Sequence, residues 1–494
     1  MLSNTSQTVS DAAAVALQAG APERALELLE HGRGLLLSYA LDMRTGLESV
    51  RRCTPQLAAE LELSRHERTS GRARGADDAG VHRRQRQRHW DQLVEQVRRQ
   101  PGLADFLQPL PSRELLDTPC HGPVVVLNSG PLRSDALLLH EGRLTIVPLP
   151  RFRHGKAVLR ADALARSVHR SEVENTAGKE RLERLPYLTD VLDWLWSAVA
   201  EPLLRVLPPP PAQHARTAPP RIWWCPTGVF NRLPVHAATR LPDPCDPDDR
   251  GADSLADRFV ASHTPTLRAL RAARDEADRA SSRSTSPVLL VGVGKTPPDT
   301  DHLPLDDVPL ELNAVAKLLP AARDLRDEQA SRDAVVRHLK AGGWLSFAGH
   351  GEQDIATPDG VLYLWDHVRS GSLRIRDIVG LHLEQADLAY LSACDTHRAP
   401  TAHSDEPVSL AGALQLAGYR HVVASQWQLN SRRARQVATD FYETMLRTPD
   451  GRTQPSGPGA AARSALALHT AVGRLRARRP DAVDMWAAYV HIGP

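Results

Sequence analysis

Cysteine is scarce in this chain: Cys53, Cys120, Cys225, Cys245 and Cys394 are scattered over 494 residues, odd in number and without a CxxC pair. A disulfide framework or a thiolate metal site needs paired or closer spacing, so neither is expected, and a reducing, cytoplasmic setting fits. Net charge is nearly absent too. The 61 lysines and arginines face 59 aspartates and glutamates, and the formal charge of +2 gives no global field to draw in nucleic acid or an anionic membrane. No apolar run approaches the ~18 residues of a membrane-spanning helix, and the opening MLSNTSQTVSDAAAVALQAG lacks a basic segment followed by an apolar one. Neither export nor membrane insertion is expected. What is present is an ordinary globular composition, 41% hydrophobic and 24% charged. The length suits two or three units of ~100 to 200 residues each.

Residues 1–117 read as a helical region. DAAAVALQAG and ERALELLEHGRGLLLSYALDM carry Leu and Ala at three- and four-residue steps around the break at Ala21-Pro22, the pattern of a helical hairpin. It looks like one tetratricopeptide unit with no second copy, and a single repeat must bury its apolar face on the rest of the chain or on a partner. The run HRRQRQRH (His82 to His89) suggests a nucleic-acid patch, but no aromatic residue is interleaved for base stacking. It reads instead as a solvated stretch leading into the helix HWDQLVEQVRRQ, and nucleic acid is not expected as a direct ligand.

Residues 118–275 read as an α/β unit: β-rich PVVVLNSG and DALLLHEGRLTIVPL, the helix LTDVLDWLWSAVAEPLL, and the strand RIWWC before PTGVFNRLPVHAA. Residues 276–287, with SSRSTS, read as a linker. From 288 to 494 strands and helices alternate: PVLLVGVG, ELNAVAKLL, WLSFAGHG, LRIRDIVGL, DLAYLSAC, VSLAGALQLAG, HVVASQW and RRARQVATDFYETML. That alternation predicts a mostly parallel sheet flanked by helices, with VLYLWD (Val361 to Asp366) as a small inserted hairpin or edge element. GVGKT (Gly292 to Thr296) invites a phosphate-loop reading, but Leu289 stands where that motif needs glycine, and Pro297-Pro298 where its helix would start. No cofactor and no metal is expected.

Ligands of an open parallel sheet gather at the carboxyl ends of its strands, and two reactive residues fall there: His350 after WLSFAG and Cys394 after LAYLSA. A thiol of pKa ~8.5 is mostly protonated at neutral pH, so a neighbouring imidazole that takes its proton turns it into a nucleophile. In this reading Cys394 attacks a peptide carbonyl, and His350 assists and then protonates the departing amine. The amides of Gly351 and Cys394 are the nearest donors for the oxyanion. Glu352 and Asp354 are candidates to orient the imidazole, or simply loop acids. Cys225, beside Trp223 and Trp224, reads as core, and His236 as structural.

At these residues a resemblance becomes specific. FAGHG (Phe347 to Gly351) and LSACDT (Leu391 to Thr396) resemble the paired histidine and cysteine signatures of CHAT domains, a branch of the caspase and separase clan of cysteine peptidases. SLAGALQLAGYRHVVASQW (Ser409 to Trp427), FYETML, WAAYVHIGP (Trp486 to Pro494), CPTGVFNRLPVHAA and HTPTLRALRAAR extend the likeness, which covers most of the chain from about Asp11. It implies a caspase-like α/β fold, a preceding non-catalytic α/β half at 118–275, and N-terminal helices that dock a regulatory protein. The implied activity is a regulated cysteine endopeptidase acting on a protein substrate. It also implies a substrate pocket around Asp395, Trp427, Gln428 and Asn430, where relatives commonly carry acidic residues after the tryptophan and this chain has Gln428, Leu429, Asn430 and Ser431. The alternative is a catalytically silent CHAT scaffold that binds a protein partner.

Overall fold

The computed structural model describes the chain except residues 1–6, 33–49, 70–77, 105, 109, 118–121, 174–178, 208–217, 243–252, 281–283, 298, 301, 354–359, 384, 394–408, 430 and 449. Runs of Val, Ile, Leu and aromatic residues form the strands, as expected where both sheet faces are covered. In chain order these are β1 (Val124–Ser129), β2 (Ser134–His140), β3 (Arg143–Pro148), β4 (Arg221–Pro226), β5 (Val260–His263), β6 (Val288–Gly292), β7 (Arg323–Arg326), β8 (Gly343–Ala348), β9 (Ala386–Ser392), β10 (His421–Ser425) and β11 (Tyr489–Ile492). All belong to one 11-stranded sheet in the order β3-β2-β1-β4-β5-β11-β10-β9-β8-β6-β7. Neighbours run parallel except in the β1-β2-β3 meander and at the β10-β11 pair. The fold is therefore α/β, with a mostly parallel sheet between helical layers.

The sheet runs unbroken through both α/β halves. Its joint is the last strand: β11 pairs Ile492 with His263 of β5 on one side and with Val422 of β10 on the other. One face carries a continuous apolar core from Val125 and Trp224 through Tyr489 and Tyr390 to Leu290, under residues of the helices His154–Val173, Lys179–Leu195, Asp307–Leu318, Ser431–Leu446 and Ser464–Arg478. The opposite face is covered in two patches. Helices Arg332–Leu339, Ile375–Val379 and Leu410–Ala417 lie over β6, β8, β9 and β10. The N-terminal hairpin, Thr8–Gln18 and Pro22–Gly32, lies with Leu267–Ala280 over β1, β2 and β4. The hairpin thus buries its apolar face on the rest of the chain, and the buried Glu30 carboxylate seals it by accepting from the Leu267 and Arg268 amides at 3.0 and 2.9 Å.

Several expectations are sharpened locally. The basic run is taken into one helix, Asp78–Arg98, in which Gln85, Gln87, Arg88 and His89 are exposed while Trp90, Leu93, Val94 and Val97 join a small core with Val50, Ala58 and Leu61. Of the expected linker, the first residues continue the helix Leu267–Ala280, and Ser286 is buried against Asp387. The amides of Gly294 and Lys295, where a phosphate loop would hold its ligand, are occupied by Asp327 Oδ1 at 2.9 and 3.0 Å. Cys225 lies in the core with its thiol toward the Pro265 carbonyl at 3.7 Å. VLYLWD contributes to a three-stranded sheet of Gly351–Gln353, Gly360–Leu362 and Leu373–Arg374. Gly343 opens β8 at φ 87°, and a Cβ there would lie 2.1 Å from the Pro287 carbonyl oxygen, so only glycine lets β8 approach β6 so closely.

Candidate active site

β8 and β9 are parallel neighbours with Ala348 opposite Ser392, so their carboxyl ends meet at one edge of the sheet. The Gly349 N–H, beside His350, points to the Ser392 carbonyl at 3.4 Å. From the far side, Ser425 at the end of β10 donates its hydroxyl to the Ala393 carbonyl at 3.1 Å. Cys394 and Asp395 follow directly in the sequence and, like Asp354 and Asn430, lie outside the described residues.

The sheet's switch point explains what surrounds His350. From β6 the chain steps outward to β7, then returns to β8 on the other side of β6. Loops after β6 and β8 therefore flank one crevice, the place where α/β sheets gather their chemistry. The half-buried His350 sits there with its Nε2 on the Leu303 carbonyl at 2.8 Å. A carbonyl only accepts, so Nε2 carries the hydrogen, and in the neutral ring Nδ1 keeps the lone pair. His302 stacks on the same ring, with centroids 4.9 Å apart and planes at 29°. His302 also meets Tyr363 edge-on at 4.4 Å and His367 at 5.3 Å.

Tyr363 binds the loop twice. Its N–H donates to the His350 carbonyl at 3.1 Å, and its hydroxyl donates to Glu352 Oε2 at 2.7 Å. Burial, with that bond to Glu352, pushes the phenol's pKa up. Glu352 thus serves Tyr363, and what holds the imidazole is the Leu303 carbonyl. Pairing of Gly351 with Leu362 follows the bonded pair at His350 and Tyr363. In an antiparallel ladder bonded and non-bonded pairs alternate, so the Gly351 N–H is directed away from its partner strand.

Beneath the strand end lies Glu311, on the helix Asp307–Leu318, 4% exposed, accepting from Ser392 Oγ at 2.9 Å. Burial pushes its carboxyl up to about 7. The buried phenols of Tyr390, Tyr442 and Tyr489 surround it, raised first by burial and further by the carboxylate. Trp427 is 5% exposed, packed in the large core with its Nε1 donating to the Asp484 carbonyl at 2.6 Å, and Gln428 beside it is half-buried. Sequence reasoning missed His302, Leu303 and Glu311. Only Glu311 left a trace, as an acid on the apolar stripe of a helix, ELNAVAKLL. A carbonyl acceptor such as that of Leu303 has no side-chain signature at all.

Among the described residues no three His, Cys, Asp or Glu side chains converge as a metal site, and no helix is long and apolar enough to cross a membrane. The CHAT domain family model matches residues 189–494. No curated protein matches the chain. Solved structures similar to it include separase of Saccharomyces cerevisiae in the separase-securin complex, at 11% identity and TM-score 0.47, covering 77% of this chain and 30% of that one. Another is the complex of Porphyromonas gingivalis RgpB pro- and mature domains, at 10% identity and TM-score 0.38, covering 63% of this chain and 76% of that one. A third is the Arg specific cysteine proteinase gingipain R, at 10% identity and TM-score 0.39, covering 63% and 74% respectively. This chain thus spans less than a third of the separase chain.

Proposed function

The chain belongs to the CHAT domain family, and on that premise we propose that it is a regulated, caspase-like cysteine endopeptidase that cleaves a protein partner with Cys394 and His350. The observation that carries this reading is the junction of β8 and β9, where Gly349 meets Ser392. That junction sets His350 at the strand end beside the one from which the sequence continues into Cys394.

His350 supports the role through its tautomer. With Nε2–H engaged by the Leu303 carbonyl, the basic Nδ1 is the nitrogen left to take the thiol proton. The thiolate adds to the peptide carbonyl, and the negative oxygen is met by the N–H groups of Gly351 and Cys394. As the tetrahedral adduct collapses, the imidazolium returns its proton to the departing amine, leaving an acyl group on Cys394. Water, activated by the same nitrogen, then releases the acid and the free thiol. The pocket for the residue preceding the scissile bond is formed around Asp395, Gln428 and Asn430, against the buried Trp427. No bound cofactor enters this scheme. A regulatory protein engages the N-terminal helical region, and the enzyme works in the reducing cytoplasm, where the thiol stays free.

The test is labelling with a thiol-reactive peptide electrophile, followed by peptide mapping. Modification of Cys394 in the parent protein, lost in His350→Ala, is the expected result, together with cleavage of a selected peptide-library substrate that disappears in Cys394→Ala. Cleavage by Cys394→Ala at the parent rate overturns the assignment.

A further inference from the structure

The segment that leads into Cys394 is held from three directions. Gly349 of the histidine strand approaches the Ser392 carbonyl at 3.4 Å, and Ser425 donates to the Ala393 carbonyl at 3.1 Å. These two contacts are neutral and cheap. The third is a carboxyl, Glu311, taken out of water to accept from Ser392 Oγ at 2.9 Å.

Stability alone argues against a carboxyl in that place. A buried acid without an ion pair costs several times what one hydrogen bond returns. Among the described residues no lysine or arginine forms an ion pair with Glu311. Arg435, on the helix Ser431–Leu446, pairs with Asp307 at 3.7 Å, one turn earlier on the same helix as Glu311. The groups that face Glu311 are Asp307 from its own helix, Ser392 and Tyr390 from β9, Tyr442 and Arg435 from the helix Ser431–Leu446, and Tyr489 from β11. A neutral side chain of the same length would fill this space at lower cost. Its place under a strand end that also carries the Gly349 contact gives the carboxyl another use.

We propose that Glu311 is a positioning residue for the nucleophile: by holding the Ser392 side chain while Gly349 meets the Ser392 carbonyl, it fixes the direction in which β9 delivers Cys394 toward His350. The proposal rests on the peptidase reading above, and it makes Ser392 the mediator. Ser392 has both its side chain and its carbonyl committed, so the backbone just ahead of Cys394 has little freedom to turn. Misplacement of a nucleophile by about 1 Å costs up to about 100-fold in rate, so loosening one of three ties is expected to cost about 10-fold.

The experiment compares Ser392→Ala, Glu311→Ala and Glu311→Gln with the parent chain. Two readouts are followed from pH 5.5 to 8.5: the rate at which iodoacetamide alkylates Cys394, measured by mass spectrometry, and kcat and KM on a selected peptide substrate. Ser392→Ala and Glu311→Ala are expected to lower kcat and the alkylation rate about 10-fold with KM changed less than about 2-fold. Glu311→Gln, which still accepts from Ser392 but does not ionise, is expected to keep both rates within about 3-fold and to remove the step near pH 7 from the alkylation profile. Parent-like rates in Ser392→Ala overturn the proposal. So does a Glu311→Ala protein whose folded fraction alkylates at the parent rate. If Glu311→Ala does not fold, the Ser392→Ala and Glu311→Gln pair decides by the same criteria. Alkylation needs no substrate, which separates the two readings. A slowed Cys394 in a chain that cleaves no peptide supports the positioning and removes the peptidase, whereas parent-like alkylation in a cleaving enzyme removes the positioning alone.

Discussion

Glutamine in place of Glu311 should stabilise the protein at pH 8 and change it by less than about 1 kcal/mol at pH 5. The carboxyl is raised by burial from 4.5 to about 7, so the folded state prefers its protonated form. Below about pH 4.5 both folded and unfolded chains hold the proton, and the contribution to stability is at its full value. As pH rises toward 7 the unfolded chain gives up the proton freely, the folded one does not, and the contribution is lost. Lifting the carboxyl from 4.5 to about 7 amounts to about 3 kcal/mol above pH 7, at about 1.4 kcal/mol for each tenfold change in proton affinity. Glutamine mimics the protonated form at every pH and so escapes this loss. Urea unfolding followed by tryptophan fluorescence at pH 5, 6, 7 and 8 measures it, with the difference between the two proteins as the quantity of interest. A gain that is flat with pH, or a glutamine variant less stable at pH 8, refutes the reasoning, because either result places the ionised carboxylate where the fold tolerates it.

Two further outcomes follow from the same physics. Asp387→Ala takes the buried carboxylate away from Arg420 and Ser286, and should lower stability by about 3–5 kcal/mol in urea unfolding; a loss under about 1 kcal/mol contradicts the pair's burial. His302→Ala removes the ring stacked on His350 but keeps the Leu303 carbonyl, so alkylation of Cys394 should slow only a few-fold; an unchanged rate leaves the stack without a role.

Periodicity made much of this architecture legible. WLSFAG and LAYLSA are continuous apolar runs, the mark of strands covered on both faces, and they form β8 and β9 side by side in register. The flanking helices were equally visible because their Leu and Ala recur at helical steps. Pairing between distant strands leaves no such mark. Nothing in YVHI says that it runs antiparallel to β10 or that its other edge meets β5. The crevice around His350 was half legible: the histidine stands in a motif, whereas its tether is a main-chain carbonyl of Leu303, an exposed residue in a Pro-rich loop. Glu311 shows a third kind of gap. Sequence places an acid on a helix, but only the fold shows that the helix turns that acid onto Ser392.

The position of β11 bears on how the two halves relate. Were the N-terminal α/β unit a separable accessory, the sheet of residues 288–494 would close on itself and leave a finished edge. Instead β11 has β5 on one side and β10 on the other, and His491 on it bonds Ser262 of β5 at 2.8 Å and Ser464 of the helix Ser464–Arg478 at 3.0 Å. Trp223 of β4 donates to the Gly493 carbonyl at 3.0 Å, which ties the last residues of the chain to the first half. The large core beneath is likewise one body, running from Val125 to Leu290. Without residues 118–275, β11 would present an unpaired edge and the core residues that pack against that half would lose their cover, a cost that no short C-terminal strand bears alone. The strand next to β11 is β10, whose Ser425 holds Ala393. The same short strand that joins the halves is therefore separated only by β10 from the segment that leads into Cys394, so the order of that segment depends on the fold of both halves.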